Sequence, residues 1–272
     1  MTQPEPASSN GALIPGADAW SHDASHSATG PSGAPGALVL HGFTGNPGSM
    51  RGLAEAFAAA GFHVEMPRLP GHGTTVEDML TTGWADWAGE AEAALQRLSA
   101  RAERVVVAGL SMGGSLTLRL GADHPDLLGI ICINPATQAQ PDEVLVALDG
   151  MLADGTTVMP GIGSDIADPD AHESAYDGTP VAPLLSFMRE GLAPLESRYA
   201  DMRIPLLLMT SLDDHVVPPA QSDHLAEHYG GPVERVTLER SFHVATQDYD
   251  KALIFERSVE FARRVTSTAT SR

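Results

Sequence analysis

Cysteine is nearly absent from the sequence, since Cys132 is the one thiol in 272 residues. A single cysteine excludes an internal disulfide and any zinc site built from thiolates. Because Cys132 lies in the apolar segment LLGIICIN, we expect it to be a buried structural residue rather than a reactive one.

Positive charge is scarce as well. The chain has 16 Lys and Arg against 35 Asp and Glu, a net charge of -19 and a pI near 4.7. Lys251 is the only lysine and the arginines are scattered, so no broad basic surface is available to neutralise phosphates. The composition argues against nucleic acid as a partner and against docking on anionic lipid headgroups.

Long apolar runs are missing too. No stretch of about 18 apolar residues could span a bilayer. The N-terminus MTQPEPASSNGALIPGADAW has neither a charged first region nor an uninterrupted apolar segment, so it does not resemble a secretory signal. These absences predict a soluble, cytoplasmic protein without a transmembrane segment.

What the sequence does contain, from Gly36 onward, is an alternation of apolar runs and helical patterns. The runs GALVLHG, RVVVAGL and LLGIICIN are typical of buried parallel strands. With 43% hydrophobic residues, the chain is long enough for one large core. The pattern predicts an α/β fold with a mostly parallel central sheet and helices on both faces.

Two departures from this alternation define the predicted domain organisation. Residues 1–35 end in a stretch rich in Ser, Ala, Gly and Pro and are predicted to be a flexible lead-in. Helical pieces with apolar faces replace the strand pattern over residues 135–202, which predicts a small helical cap over the carboxyl ends of the strands. Residues 36–134 and 203–266 would form the α/β core.

The segment RVVVAGLSMGGSLTLRLG places Ser111 between a strand pattern and a helix pattern. GLSMG matches Gly-x-Ser-x-Gly, the nucleophile elbow, in which a strained turn exposes the serine hydroxyl. Side chains at Gly109 and Gly113 are expected to clash with neighbouring elements in such a turn. The start of the following helix favours developing negative charge, so Ser111 is the candidate nucleophile.

A nucleophilic serine needs a histidine base and a carboxylate that orients the base, and in this fold the chain order is Ser, acid, His. His243 follows one strand pattern, and Asp213 and Asp214 both follow another, so either carboxylate is a candidate. The segment HVVPP resembles the turn after the catalytic acid in hydrolases of this fold, which favours Asp214. His215 adjoins the acid and is a poor candidate for the base.

The tetrahedral intermediate of ester cleavage needs backbone N–H donors aimed at its oxyanion. Met112, the residue after the nucleophile, is expected to supply one donor. The loop VLHGFTG would supply the other through Phe43, because Gly42 and Gly45 allow an unusual backbone path. His41 is expected to brace this loop by hydrogen bonding rather than to act as a base.

Six segments together carry a resemblance to a known family. They are HGFTGNPGSMRGLAEA, MPRLPGHGTTVEDM, GLSMGGSLTL, IGSDIADPDAHESAY, DDHVVPP and SFHVATQDYD. In these segments the chain resembles the bacterial monoacylglycerol lipases of the Bacillus type, which are α/β-hydrolases, from about Gly36 to Val265. It resembles the small bacterial carboxylesterases less closely. The cap segment IGSDIADPD and the final HVATQDYD are the most specific.

The resemblance implies site residues and an activity. Ser111, Asp214 and His243 would form the catalytic triad, Ile162 would line the acyl and glycerol site, and Glu173 would bind glycerol. The implied reaction is hydrolysis of a small lipid ester, a monoacylglycerol, to fatty acid and glycerol through an acyl-serine, with no metal or organic cofactor. The apolar cap residues fit a pocket for an alkyl chain and would allow transient contact with lipid.

Three alternatives remain open. A general carboxylesterase or thioesterase would use the same triad, and substrate profiles would separate it from the lipase. A cofactor-free haloperoxidase or C–C bond hydrolase is compatible with the scaffold, because fold does not settle function. A non-hydrolytic binding protein of the same fold would show no turnover. The sequence does not define the oligomeric state.

Overall fold

A computed structural model of the chain describes residues 11–24 and 33–268. Nine strands lie in these residues: β1 (Trp20–His22), β2 (Gly36–Leu40), β3 (His63–Met66), β4 (Val105–Leu110), β5 (Gly129–Ile133), β6 (Val158–Pro160), β7 (Gly178–Pro180), β8 (Leu206–Ser211) and β9 (Val233–Leu238). Seven of them form one sheet in the order β1-β3-β2-β4-β5-β8-β9. From β3 to β9 the neighbours are parallel, which confirms the predicted fold class.

The same residues contain nine α-helices. They are α1 (Arg51–Ala59), α2 (Val76–Met79), α3 (Trp84–Ser99), α4 (Met112–Asp123), α5 (Asp142–Ala153), α6 (Val181–Ser186), α7 (Ala193–Glu196), α8 (Ala220–His228) and α9 (Lys251–Thr268). Two 3-10 helices (Pro47–Met50 and Tyr199–Asp201) and a π-helix (Phe187–Leu192) complete the helical elements of the described residues. No helix in 11–24 or 33–268 has the length and apolar content needed to cross a membrane.

Different helices cover the two faces of the sheet. Along β4, Val105 and Val107 pack into a buried cluster that includes side chains of α3, α4 and α8. Val106 and Ala108 pack into a second cluster, which includes side chains of α1 and α9. Because successive strand residues point to opposite faces, a continuous apolar run supplies both clusters. Every residue of β2, β4, β5 and β8 is buried.

The parallel arrangement brings the candidate site residues to one edge of the sheet. The loops that follow β2, β4, β8 and β9 carry Phe43, Ser111, Asp214 and His243 in turn. Because these strands run in the same direction, the four loops leave the sheet at its carboxyl edge, where ligands bind in open α/β sheets.

The flexible lead-in predicted for residues 1–35 is wrong for part of that segment. Trp20–His22 forms the edge strand β1, which pairs antiparallel with β3 in the register Trp20↔Met66. Ala17 is fully buried, and the guanidinium of Arg51 lies 5.0 Å from the Trp20 ring centre. Apolar and cation–π contacts therefore fix a strand of only three residues, too short to give a periodic signal. Residues 1–10 and 25–32 lie outside the described residues.

The insertion between β5 and β8 contains the helical pieces that the sequence predicts. Helices α5 and α6 share a small apolar cluster centred on Leu148, Val181 and Leu185, separate from the two clusters on the sheet. The insertion also contains the antiparallel pair β6–β7, which the sequence pattern did not predict. A proline stands at the end of each of these three-residue strands, and both strands are too short to give an alternating pattern.

Candidate active site

Ser111 occupies a strained turn between β4 and α4. Its φ of 56° and ψ of -120° lie in a region that residues other than glycine rarely adopt. The turn is held because Ser111 N donates to Ile133 O at 3.0 Å, while Ser111 O accepts from Gly114 N at 2.8 Å. The residue is partly exposed, so the strain places a serine hydroxyl at the surface of the sheet edge.

Close backbone approaches explain the glycines around this serine. A Cβ at Gly109 would lie 2.0 Å from Gly113 O, and a Cβ at Gly113 would lie 2.3 Å from Leu40 O. The predicted clashes at both positions are confirmed. A Cβ at Gly42 would lie 3.3 Å from the Ser111 Cβ, so the loop after β2 passes directly beside the serine.

His243 and Asp214 form a buried pair. His243 Nδ1 and Asp214 Oδ2 are 2.8 Å apart, and the side chains are 9% and 2% exposed. Asp214 Oδ1 accepts from Val216 N and Val217 N, so the HVVPP turn orients the carboxylate. Asp213 is exposed. Of the two candidate acids, the structure therefore pairs Asp214 with the histidine.

The contact with Asp214 occupies Nδ1 of the His243 imidazole, so Nε2 is the ring nitrogen left for another partner. With Asp214 bound to Nδ1, the proton lies on Nδ1 and Nε2 is the free acceptor, which is the tautomer a general base needs. Among residues 33–268, no hydrogen bond joins the Ser111 hydroxyl to this ring. Catalytic hydrogen bonds of this kind often tighten only when substrate binds.

The loop after β2 is braced by His41, as predicted. His41 is fully buried, its Nε2 accepts from Leu69 N at 3.1 Å, and its Nδ1 donates to Gly42 O at 3.0 Å. Burial lowers the pKa of His41 well below its usual range, assisted by the neighbouring His72. A neutral imidazole with both nitrogens occupied cannot serve as a base.

Two backbone N–H groups near Ser111 lack acceptors. Neither Phe43 N nor Met112 N donates to an acceptor within the described part of the chain. Met112 is the first residue of α4, where helical N–H groups have no partner of their own. The Phe43 ring packs 5.7 Å from Trp87, centre to centre, which fixes this part of the loop.

Glu173 reaches the same loop from the insertion. Its Oε1 would lie 2.8 Å from a Cβ at Gly45. The neighbouring residues dock too, because Asn46 Nδ2 donates to Ser174 O at 2.6 Å and Tyr176 N donates to Thr44 O at 3.1 Å. Burial raises the pKa of Glu173 to about 7, and the nearby His243 partly opposes this shift.

Ile162, the other residue that the resemblance assigns to the substrate, lies at the surface of the insertion with 66% of its area exposed. It precedes Gly163, whose φ is 77°. No group of three or more His, Cys, Asp or Glu side chains in 11–24 and 33–268 is arranged to hold a metal ion.

Sequence reasoning missed two residues that hold the histidine. Asn134, with a φ of 44°, donates through Nδ2 to His243 O at 2.8 Å. Asp165, in the insertion, accepts from His243 N at 3.0 Å through Oδ2. Both bind peptide groups, so no catalytic motif points to them. The segment IGSDIADPD, which carries much of the family resemblance, is the one signal in the sequence that includes Asp165.

A strained serine after a buried strand, a buried acid–histidine pair and a parallel sheet define a serine hydrolase of the α/β-hydrolase fold. The family model described as "Serine aminopeptidase, S33" matches residues 36–250. The chain belongs to this hydrolase family.

Known relatives support the resemblance found in the sequence. The chain is 43% identical to the thermostable monoacylglycerol lipase of Bacillus sp. (strain H-257), over 85% of this chain and 91% of that protein. It is 24% identical to a carboxylesterase of Bacillus subtilis (strain 168), over 84% of this chain and 92% of the relative. The predicted resemblance to bacterial monoacylglycerol lipases is confirmed.

A solved structure is also close to this chain. This structure is described under LipS and LipT, two metagenome-derived lipolytic enzymes. It matches with a TM-score of 0.85 and 39% sequence identity, and the match covers 93% of this chain and 100% of that one. The monoacylglycerol lipase of Paleococcus ferrophilus shares the fold, with a TM-score of 0.66 at 18% identity, over 91% of this chain and 99% of that one.

Proposed function

We propose that the protein hydrolyses the ester bond of monoacylglycerols to a fatty acid and glycerol through an acyl-serine intermediate. The observation that carries the chemistry is the 2.8 Å contact between His243 Nδ1 and Asp214 Oδ2 at the sheet edge that exposes Ser111. The substrate class is supported by the 43% identical lipase, whose match includes most of both chains.

In the acylation step, His243 Nε2 takes the Ser111 hydroxyl proton while Oγ attacks the ester carbonyl carbon. The new imidazolium is stabilised by Asp214, and the oxyanion accepts hydrogen bonds from Phe43 N and Met112 N. When the tetrahedral intermediate collapses, the bond to the glycerol oxygen breaks. His243 then gives its proton to this oxygen, so glycerol leaves as a neutral alcohol.

In the deacylation step, the same imidazole takes a proton from water as the water oxygen attacks the acyl carbon. The bond between the acyl group and Ser111 Oγ breaks, and the serine recovers its proton from His243. Every proton is returned within one turnover. The residues named here need no metal or organic cofactor for either step.

The insertion supplies the substrate contacts. Residues 135–202 act as a cap, and Glu173 and Ile162 act as its substrate-binding residues, as the family resemblance implies. The position of Glu173 beside the loop of Phe43 supports contact with the glycerol hydroxyls near the oxyanion site. A carboxyl group whose pKa lies near 7 can donate to a hydroxyl oxygen when protonated and accept from a hydroxyl when ionised.

Fatty-acid release tests the proposal. The substrates are monolauroylglycerol, dilauroylglycerol, trilaurin, a short nitrophenyl ester and leucine nitroanilide, the last because of the family description. Ser111→Ala is compared with Ser115→Ala, which changes a serine of the following helix α4 whose hydroxyl donates to Ala136 O. We expect turnover of the monoacylglycerol by the wild type and Ser115→Ala and none by Ser111→Ala.

Other outcomes select a different function. Cleavage of the short ester alone indicates a general carboxylesterase, and cleavage of the nitroanilide alone indicates an aminopeptidase. If the wild type cleaves nothing, or Ser111→Ala matches it, the proposed serine-hydrolase mechanism is wrong.

A further inference from the structure

A carboxylate from the insertion contacts the backbone beside both partners of the acid–histidine pair. Asp165 Oδ2 accepts from His243 N at 3.0 Å and from His215 N at 3.2 Å. Its Oδ1 lies 2.8 Å from His215 Nδ1. His215 directly follows Asp214 in the chain. One side chain, 13% exposed, therefore ties the loop of the acid to the loop of the base.

A second carboxylate joins the insertion to the loop of His243, with the acceptor now on the His243 side and the donors in the insertion. Asp248 is fully buried in residues 239–250, the loop between β9 and α9 that carries His243 and is called the histidine loop below. It accepts from Ala167 N at 2.7 Å and from Asp168 N at 3.1 Å. It also accepts from Phe242 N at 2.9 Å. Hydrogen bonds from backbone N–H groups to a buried carboxylate are charge-assisted and strong. The contact between the insertion and the histidine loop is therefore built from both sides.

The peptide groups of His243 are held from two directions. Asn134, at the end of β5, holds the carbonyl oxygen, and Asp165 holds the N–H. Without the Asp165 carboxylate, His243 N would lose its acceptor. The Asn134 contact, the Asp214 contact and the backbone bond from Val244 N to Asp165 O would remain, so the loop would stay attached but its position would be less tightly defined. Proton transfer and nucleophilic attack depend steeply on geometry, and a misplacement of 1 Å can cost about 100-fold in rate.

We propose that Asp165 is a positioning residue that couples the insertion to the chemistry by fixing the His243 imidazole relative to Asp214 and Ser111. This role rests on the proposed function, since it requires His243 to be the base. Through Asp165, the insertion would help to position the catalytic base in addition to acting as a cap over the substrate.

The test compares Asp165→Ala with Asp165→Asn and with Asp168→Ala. The Asp168 carboxylate bonds Asp170 N within its own turn, so its removal is a matched control in the same segment. Hydrolysis of a short nitrophenyl ester is measured, and the competent serines are counted with a fluorophosphonate, so that kcat is expressed per active site. A role in folding alone would reduce the count of competent sites but not kcat per site.

We expect Asp165→Ala to lower kcat per site by about 10- to 100-fold with little change in KM, because the base is displaced while the substrate contacts remain. Asp165→Asn should recover most of the loss, because its amide oxygen can accept from both backbone N–H groups. Asp168→Ala should match the wild type. If Asp165→Ala does not fold, Asp165→Glu, which moves the carboxylate by one methylene, is expected to show the lowered kcat.

The positioning role would be overturned if Asp165→Ala had the same kcat per site as Asp168→Ala. If Asp165→Ala does not fold, the same result for Asp165→Glu would overturn it. In that case an active wild type and an inactive Ser111→Ala would leave the proposed function standing. A wild type that cleaves no ester would overturn both, so the two failures are distinguishable.

Discussion

At the scale of single residues, the two adjacent acids offer a matched pair. Asp214→Asn is expected to lower kcat by about 10³- to 10⁴-fold, because an amide cannot stabilise the imidazolium and favours the wrong tautomer of His243. Asp213→Asn, one residue away and exposed, should leave kcat nearly unchanged. Steady-state kinetics on one ester check both. Equal losses in the two variants would contradict the assignment of Asp214.

Glu173 predicts a dependence of stability on pH. Its pKa of about 7 in the folded protein lies above the usual 4.5, so between these values the folded state holds a proton that the unfolded state has released. The contribution of Glu173 to the free energy of unfolding is therefore fully present below pH 4.5 and is lost as the pH rises towards 7. Glu173→Gln removes the effect, so the Tm of the wild type should fall relative to the variant over this range.

Thermal unfolding of the wild type and Glu173→Gln at pH 5, 6, 7 and 8 measures this change. The Tm of the wild type relative to the variant should fall up to about pH 7 and then level off. A difference that is constant from pH 5 to pH 8 would show that the carboxyl group titrates normally.

The residues found from sequence and those missed differ in what they bind. Ser111, Asp214 and His243 stand directly after strand patterns and have chemically distinctive side chains, so their order and spacing along the chain are enough to group them. Asn134 and Asp165 bind peptide groups of a loop more than 70 residues away in the chain. That pairing depends on how the loops meet in space, which a local pattern does not contain.

At the scale of elements, three glycines in helices differ in whether the fold requires them. The fold requires glycine at one position, whereas at the other two the glycine only lowers the stability of its helix. A Cβ at Gly113, in α4, would lie 2.3 Å from a backbone oxygen, whereas at Gly89 in α3 and Gly150 in α5 a Cβ meets nothing within 4 Å. Gly89→Ala and Gly150→Ala should each raise the free energy of unfolding by about 0.5–1 kcal/mol, because glycine gains more conformational freedom on unfolding.

Gly113→Ala is the contrasting variant. It should be strongly destabilised and lose activity, because the clash involves β2 and the elbow that carries Ser111. Denaturant unfolding of the three variants under identical conditions measures the differences. A Gly113→Ala protein as stable as the wild type would mean that the turn can relax without cost.

The elements that the sequence predicts best are those with a long, continuous run of apolar residues. The apolar runs of β2, β4, β5 and β8 are continuous because both faces of the sheet are covered. Strands β1, β6 and β7 have three residues each; β1 pairs with β3, and β6 and β7 pair with each other. Their existence is a tertiary effect, which explains why local patterning missed them.

At the scale of the whole molecule, a net charge of -19 sets a salt dependence. Repulsion among like charges weakens a compact state, and salt screens it with a Debye length of about 10 Å at 0.1 M. Raising NaCl from about 0.01 M to about 0.2 M at pH 7 should therefore raise the Tm by a few degrees. The rise should be smaller near pH 5, close to the pI of 4.7.

Differential scanning calorimetry at the two pH values and several NaCl concentrations checks this expectation. A Tm that falls with salt at pH 7 would mean that ion pairs, such as those of Arg101 with Asp23 and Glu65, outweigh the general repulsion.

The reciprocal carboxylates Asp165 and Asp248 have a consequence for recombination between related enzymes. Each accepts hydrogen bonds from the backbone of the other segment, so neither segment carries a complete set of partners by itself. A chimera that receives only a foreign insertion would combine an insertion and a histidine loop from two different proteins. A graft would therefore keep these bonds only if the foreign insertion carries a carboxylate at the position of Asp165 and the recipient keeps Asp248.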